Sequence, residues 1–170
     1  MKKTYFLAAI FLLAIGGWIV SRDKPSPPTG CVFCNEEIVK NQKCYEDDFV
    51  LVLYTHQPIL PAHFLIIPKR HSERFEMLSE EEMIHITQAI NKVRKAVEKE
   101  FGITAYLLHQ KNGREVGQSV PHVHFHFIAR PSGDTSLFKL LIKVLIAHWK
   151  GPIERKEMNE VIEKMRTVLQ

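Results

Sequence analysis

The sequence carries almost no excess of charge beyond its first 24 residues. The chain has 170 residues and a formal net charge of +4. Lys2, Lys3, Arg22 and Lys24, offset by Asp23, account for +3 of that charge. Only one net positive charge remains for all the residues that follow, which argues against a broad basic face for nucleic acid. We therefore expect any recognition of an anion to be local, within a site.

The sequence also lacks internal repeats, and its apolar content of 45% is ordinary for a globular protein. A chain of this length suits one folded domain. We divide it into residues 1–22, a membrane anchor or signal segment, residues 23–30, a proline-rich linker, and residues 31–170, the folded domain.

The N-terminal segment lacks a clear cleavage site for a signal peptidase. Residues 4–20 are uncharged and largely apolar, and their length lies at the short end of the roughly 17–25 residues that span a membrane. A cleaved signal peptide is the alternative, but Ile15-Gly16-Gly17 is a poor cleavage site. We therefore expect an uncleaved membrane helix. The slight excess of positive charge before it favours a folded domain outside the cytoplasm.

Three histidines that alternate with apolar residues form the most informative pattern of the chain. Alternation at period two is typical of a half-buried strand, which we predict over residues 120–128. Such a strand places the three imidazoles on one face, about 6.8 Å apart. They are His122, His124 and His126. A row of imidazoles on a rigid strand is suited to holding a phosphate or a metal.

The rest of the folded part predicts an α+β domain: an antiparallel sheet of about five strands, one long helix packed on it, and C-terminal helices. The strands are predicted at residues 43–47, 49–54, 64–67, 104–108 and 120–128. Ser79 to Glu82 form a capping box, and apolar residues then recur at helical spacing until Gly102. Two further helical patterns, at residues 137–149 and 153–169, are separated by Gly151-Pro152.

Four motifs, in this order along the chain, resemble those of the histidine triad (HIT) nucleotide hydrolases and transferases. They are Cys31-Val32-Phe33-Cys34, the segment from Pro61 to His71 with its Ile-Pro-Lys-x-His ending, the loop with Asn112 and Gly117-Gln118-Ser119, and the His-x-His-x-His run. The resemblance implies that residues 31–170 are a HIT domain with a HIT-like fold. It also implies a homodimer, since two protomers of this family often share one sheet.

The resemblance implies a role for each residue of the site. His124 would be the nucleophile that attacks the α-phosphorus of a nucleoside phosphoramidate or dinucleoside polyphosphate. A covalent nucleotidyl-histidine would form, and water would then release a nucleoside monophosphate. The other catalytic residues would be His126, His63 and Ser119. The substrate-binding residues would be Asn112, Gly117, Gln118 and Thr55. This catalysis requires no metal.

Thr55 departs from the family's pattern, in which an acidic residue usually binds the ribose hydroxyls at this place. A threonine hydroxyl cannot accept hydrogen bonds from both hydroxyls as a carboxylate can. Ala62 also stands where the family usually has glycine. The departures leave a second function open, a catalytically weak, zinc-stabilised module that binds a nucleotide or a partner.

Cys31 and Cys34 allow three interpretations. A redox pair would need a helix start and a redox fold, which are not evident. A disulfide would fit an exported domain, and a zinc site would need two more nitrogen or sulfur ligands. The resemblance to bacterial HIT proteins favours structural Zn²⁺, with His71 and His122 as the other ligands. Cys44 is expected to be a packed strand residue, and no role is assigned to His56, His109 and His148.

Overall fold

The structure, a computed structural model, describes residues 30–170. In that part of the chain an antiparallel sheet has five strands in the order β1-β2-β3-β5-β4. The strands are β1 (Lys43–Glu46), β2 (Val50–Tyr54), β3 (His63–Pro68), β4 (Ala105–Gln110) and β5 (Phe125–Arg130). The helices are α1 (Glu36–Gln42), α2 (Glu80–Phe101), α3 (Leu137–Lys150) and α4 (Arg155–Leu169). The expected α+β sheet and its long helix are therefore confirmed.

The two faces of the sheet have different partners, and this difference positions the site. On one face, alternate strand residues such as Phe64 and Phe127 pack against α2 and α4 in the main core. Because side chains of a strand alternate between faces, His63 and His126 lie on the opposite face. That face carries a smaller apolar cluster of Leu51, Leu53, Leu65 and Ile67, packed against Phe33 and Val39.

Helix α2 begins and ends as the sequence predicts. The Ser79 hydroxyl accepts a hydrogen bond from the Glu82 amide at 3.2 Å, and the Glu82 carboxylate accepts one from the Ser79 amide at 2.8 Å. Gly102 ends the helix in the left-handed conformation, with φ of 65°, which a residue without Cβ adopts at little cost. The helix packs its apolar face on β2 and β3 and so supports the strands beneath the site.

The strand that carries the histidines begins later than predicted. β5 starts at Phe125, so His122 and His124 precede it, and the prediction of a strand from residue 120 is wrong at its start. Pro121 cannot donate to a ladder, and the His122 amide instead donates to the Val120 carbonyl at 2.8 Å. The three histidines consequently do not form one row along a strand.

Helix α1 was not predicted. Its first turn depends on Asn35, whose side-chain oxygen accepts hydrogen bonds from the amides of Glu37 at 3.0 Å and Ile38 at 3.2 Å. Such a cap stabilises a helix too short to form alone. The helix brings Ile38 to the same side of the sheet as the site.

The expectation of a membrane anchor is corrected. Among residues 30–170, no helix is both long and apolar enough to cross a membrane. The apolar helix α3 has 14 residues, against roughly 20 for a span, and α2, with 22 residues, is charged along its length. The segment proposed as the anchor, residues 1–22, lies outside the described residues. We therefore retain neither the membrane helix nor the placement of the domain outside the cytoplasm.

Candidate active site and metal centre

A cavity of about 560 Å³ lies on the face of the sheet opposite α2. Its lining combines histidines with apolar residues from several elements. The lining includes His63, His124, His126, Ser119, Thr55, Phe33, Ile38, Val144 and Ala147. No carboxylate of the described residues lines it. The cavity therefore offers polar nitrogen and hydroxyl groups, with apolar walls, to a ligand.

His124 is held in one tautomer. Its Nδ1 atom lies 2.7 Å from the carbonyl oxygen of His122. A carbonyl only accepts, so Nδ1 carries the proton and Nε2 keeps its lone pair. Burial lowers the pKa of His124, although the bond to the His122 carbonyl acts in the opposite direction. The arrangement presents an unprotonated ring nitrogen, which is the form that can attack phosphorus.

His63 and His126 form a chain of hydrogen bonds that fixes their tautomers as well. The Ile59 amide donates to Nδ1 of His63 at 3.2 Å, so the proton of His63 is on Nε2. That Nε2–H donates to Nδ1 of His126 at 2.9 Å, which leaves His126 with its proton on Nε2. Burial, with neighbouring histidines, lowers the pKa of His63 to about 3 and that of His126 to about 2. Both rings are thus neutral near pH 7, and His126 has an N–H available for an anion.

His109, to which the sequence assigned no role, lies against this chain. It pairs with His126 across β4 and β5, and the two rings stack with centroids 4.5 Å apart and an angle of 7°. Burial first, and then the charge of Lys111, lowers the pKa of His109. No pattern in the sequence identifies this contact, because the register between β4 and β5 decides which residue faces His126.

Thr55 reaches the cavity. It is buried, and its hydroxyl accepts a hydrogen bond from the Gln57 amide at 3.4 Å. Ser119 also lines the cavity and is exposed. Of the predicted site, the structure brings five residues together at the cavity: Thr55, Ser119, His63, His124 and His126. His56, to which the sequence assigned no role, lines it as well.

Asn112, Gly117 and Gln118 shape the neighbouring loop and do not line the cavity. Asn112 accepts from the Phe75 amide at 2.9 Å and donates to Glu76 at 2.8 Å. Gln118 is buried; it accepts from the Gly113 amide at 2.6 Å and donates to the Glu73 carbonyl at 2.9 Å. Gly117 turns the chain at φ of 80°. These bonds hold the segment that leads to Ser119.

A second cluster joins the N-terminal turn to the residues before β5. The ligand atoms of Cys31, Cys34, His71 and His122 lie within 4.8 Å of one another. The sulfur atom of Cys34 lies 3.5 Å from Nδ1 of His71 and 3.6 Å from Nδ1 of His122, and that of Cys31 lies 3.4 Å from Nδ1 of His122. Both cysteines are free thiols, so the structure does not contain the disulfide that the sequence left open.

The donor set of this cluster fits zinc. Tetrahedral zinc with Zn–S of about 2.3 Å and Zn–N of about 2.05 Å separates sulfur and nitrogen ligands by about 3.6 Å, close to the distances found. His122 donates from Nε2 to the Pro68 carbonyl at 2.9 Å, which leaves Nδ1 unprotonated toward the thiols, as a metal requires. Burial and the neighbouring Cys31 raise the pKa of Cys34 to about 12, and a bound cation would lower it toward the thiolate form.

Comparison with known proteins gives the family. A sequence model described as the HIT domain matches residues 36–133, which is more than half of the chain. The chain belongs to the HIT family. This membership confirms the predicted family. The match includes three of the four motifs, since Cys31 to Cys34 precede it, and it covers α1 and all five strands.

The HIT relatives that are similar in sequence include both uncharacterized proteins and proteins named as enzymes. An uncharacterized HIT-like protein of Methanocaldococcus jannaschii is 32% identical over 80% of this chain and 98% of its own length. The adenosine 5'-monophosphoramidase of Schizosaccharomyces pombe is 36% identical over 63% and 79%. The asymmetrical bis(5'-nucleosyl)-tetraphosphatase of that yeast is 35% identical over 58% of this chain. The chain spans about half, 54%, of that tetraphosphatase.

Solved structures of HIT proteins share the fold. A Hit-like protein from Bartonella henselae is 26% identical, with a TM-score of 0.63 over 78% of this chain and 92% of that one. A zinc-bound histidine triad protein from Mycobacterium smegmatis is 22% identical, with a TM-score of 0.63 over 82% and 93%. At the latter identity the likeness concerns the fold alone.

Proposed function

We propose that this HIT protein is a nucleotide hydrolase or nucleotidyl transferase that acts at the α-phosphorus through a covalent intermediate on His124. The observation that carries the proposal is the 2.7 Å contact between Nδ1 of His124 and the His122 carbonyl. It leaves Nε2 as a nucleophile beside a cavity that His63 and His126 also line. The names of the yeast relatives, a phosphoramidase and a tetraphosphatase, support a nucleotide as substrate.

In the first step, the lone pair on Nε2 of His124 attacks the α-phosphorus. A P–N bond to His124 forms as the bond from phosphorus to the leaving group breaks, and its electron pair departs with that group. The leaving group is the amine of a phosphoramidate or the remaining phosphates of a dinucleoside polyphosphate. The hydroxyl of Ser119, which lines the same cavity, donates a hydrogen bond to it, and the leaving group takes its proton from solvent.

In the second step, water attacks phosphorus and the P–N bond to His124 breaks. The attacking water loses one proton to solvent, the nucleoside monophosphate leaves, and His124 regains its lone pair. Dividing the displacement into two steps lowers each barrier. Throughout, Nε2–H of His126 donates to a non-bridging phosphate oxygen, and His63 holds that ring through the 2.9 Å bond. A donor fixed before the reaction stabilises the transition state without reorganisation.

The cysteine–histidine cluster would hold zinc with Cys31, Cys34, His71 and His122. Four protein ligands close the coordination sphere, so the metal would supply structure and no reaction chemistry. The side chains of this cluster join the N-terminal turn to the segment after β3 and to the segment before β5. The cluster thereby also supports the His122 carbonyl that orients His124.

A homodimer is part of the proposal. β4 is one of the two edge strands of the sheet, and Leu107 and Leu108 on it are 40% and 38% exposed. An exposed apolar edge strand is suited to pairing with another chain. We expect a dimer by sedimentation, and a monomer after Leu107→Lys; a monomeric wild type would contradict this part of the proposal.

A second candidate function is a binding module with weak or no turnover. The observation that favours it is the absence of a carboxylate from the cavity among the described residues, because Thr55 cannot hold both ribose hydroxyls. The assay below decides between the two functions.

The deciding experiment is the release of AMP from adenosine phosphoramidate and from diadenosine tetraphosphate by the full chain. We expect His124→Ala to lower the rate by about 1,000-fold or more. His85→Gln is the control, since His85 lies on α2 and does not line the cavity. Undiminished release by His124→Ala would overturn the mechanism. A folded wild type that binds AMP without releasing it from either substrate would establish the binding module.

A further inference from the structure

His109 is unusual because a polar ring is partly buried on an edge strand without a partner for one of its nitrogens. Its Nδ1 atom is buried and has no hydrogen-bond partner among the described residues. Leaving a buried polar atom unpaired costs free energy. The ring therefore gains no hydrogen bond at Nδ1, and its close contact is with the His126 ring.

Three other imidazole rings lie around that of His126. The His109 ring lies parallel to it at 4.5 Å, at an angle of 7°. The His63 ring lies 5.2 Å away and the His124 ring 5.0 Å away, at angles of 41° and 67°. His63 also occupies Nδ1 of His126 by a hydrogen bond. The Nε2–H group is the ring donor that remains for a ligand.

The hydrogen bond from His63 holds the His126 ring only at its Nδ1 edge. The torsion about the Cβ–Cγ bond of a histidine is broad, and one hydrogen bond still permits small rotations about it. A flat ring stacked on one face removes this freedom. The backbone pairing of His109 with His126 keeps the stacking ring in place, since the two strands are hydrogen-bonded at this register.

We propose that His109 is a positioning residue of this site, whose stacked ring holds the His126 imidazole so that its Nε2–H is presented to the phosphate. This inference rests on the proposed function of His126. His109 touches neither substrate nor reacting atom in this proposal, and it acts through His126 alone.

The charges around His126 agree with a neutral donor. The titratable groups that face it are His63 from β3, His124 from the segment before β5, His109 from β4 and Lys111 from the following loop. None of these groups is negative, and burial of the ring, the largest effect, also disfavours its protonation. Stacked imidazoles this close cannot readily both be charged, and the stack therefore favours an N–H donor over an imidazolium.

The test compares two replacements of His109. His109→Phe keeps a flat ring for stacking and removes both nitrogens, whereas His109→Leu keeps apolar bulk and removes the flat ring. Tyr106→Leu is the matched control, because Tyr106 also stacks from β4 on a ring of β5, that of Phe127 at 4.4 Å, on the opposite face. Thermal unfolding verifies that all three variants are folded.

Two measurements report on each variant. Long-range ¹H–¹⁵N spectra of the histidine rings give the tautomer and pKa of His126 without turnover, alone and with AMP as the probe. Initial rates of AMP release give kcat and KM. Without the stacked ring of His109, we expect the His126 ring to turn away from the His63 donor. His109→Leu should then mix the tautomers of His126, raise its pKa, and lower kcat by roughly 10- to 100-fold, as for small misplacements of a catalytic group. His109→Phe and Tyr106→Leu are expected to retain the Nε2–H tautomer and kcat within about threefold.

An unchanged tautomer of His126 and an unchanged kcat in His109→Leu would overturn the inference. An equal loss of kcat in His109→Phe and His109→Leu would also overturn it, because a ring nitrogen of His109 would then be required. If the wild type releases no AMP, the spectra still decide whether His109 positions His126, and the proposed function fails separately.

Discussion

The Nδ1 atom of His124 lies 2.7 Å from the carbonyl oxygen of His122, and the ring of His122 belongs to the cysteine–histidine cluster. One residue therefore takes part in both sites, with its side chain in one and its backbone in the other. The nucleophile and the metal centre are coupled through this residue, so a disturbance of the cluster is expected to reach the cavity.

The first prediction concerns the metal. Cys34→Ser is expected to lose bound zinc and to lower the melting temperature by at least about 5 °C, because metal binding contributes to folding free energy. Elemental analysis of the purified protein measures the zinc, and we expect one ion per wild-type chain. Cys44→Ser is the control, since Cys44 is a buried thiol of β1 outside the cluster. Zinc retained by Cys34→Ser would contradict the ligand assignment.

The second prediction concerns the wall of the cavity that α3 provides. Ala147 lines the cavity, so Ala147→Phe is expected to fill part of it and to lower kcat/KM by about tenfold or more. Ile146 is 47% exposed on the same helix, and Ile146→Phe is expected to leave kcat/KM within about twofold. Steady-state kinetics of AMP release measure both variants. An equal loss of kcat/KM in both variants would mean that the substitutions disturbed the helix and not the cavity.

The third prediction concerns the sugar of the substrate. Thr55 lines the cavity where no carboxylate of the described residues does, so the wild type is expected to cleave adenosine and 2'-deoxyadenosine phosphoramidates with similar kcat/KM. Thr55→Asp supplies a carboxylate and is expected to favour the ribonucleotide by about tenfold, the value of one good hydrogen bond to a charged group. Thr55→Asn tests polarity without charge. If the wild type instead strongly preferred the ribonucleotide, Thr55 would not be the residue that sets the recognition of the sugar.

The fourth prediction concerns acid stability. Glu82 is 3% exposed and accepts hydrogen bonds from Arg70 at 2.9 and 2.7 Å and from the Ser79 amide at 2.8 Å. Burial alone would raise the pKa of Glu82, but these bonds hold it below its usual value of 4.5. A lowered folded-state pKa stabilises the protein above the unfolded value, and this contribution is lost as the pH falls through the folded value.

We accordingly expect Glu82→Gln to lower the free energy of unfolding by about 2 kcal/mol at pH 7. The difference in this free energy between the wild type and the variant is expected to shrink below about pH 4. Denaturant titrations at a series of pH values measure the difference. Glu81→Gln, an exposed neighbour on α2, is the control. A deficit that stays constant with pH would exclude the ionised carboxylate as its source.

The fold followed from the sequence where local signals were strong. The capping box at Ser79 and the glycine at position 102 fixed α2 because both act through neighbouring backbone groups. The start of β5 did not follow, because Pro121 and the bond from the Val123 amide to the Ser72 carbonyl divert the chain. Helix α1 was missed because its pattern spans only seven residues.

The site followed from the sequence only in part. Motif residues such as Cys34 and His71 could be placed together because the resemblance joins distant segments. His109 could not, since its contact with His126 depends on strand register. The apolar side of α3 near Ala147 carried no chemical pattern, so its place in the cavity wall is visible only in the folded chain.

The measurement that tests the central claim most directly is the capture of the intermediate. The full chain is mixed with adenosine phosphoramidate, quenched rapidly in alkali because a phosphorus–nitrogen bond to histidine is labile in acid, and analysed by intact mass and peptide mapping. We expect one adenylyl group per active site, carried by His124 and absent from His124→Ala. Rapid turnover without any adduct, or an adduct on His126, would contradict the account.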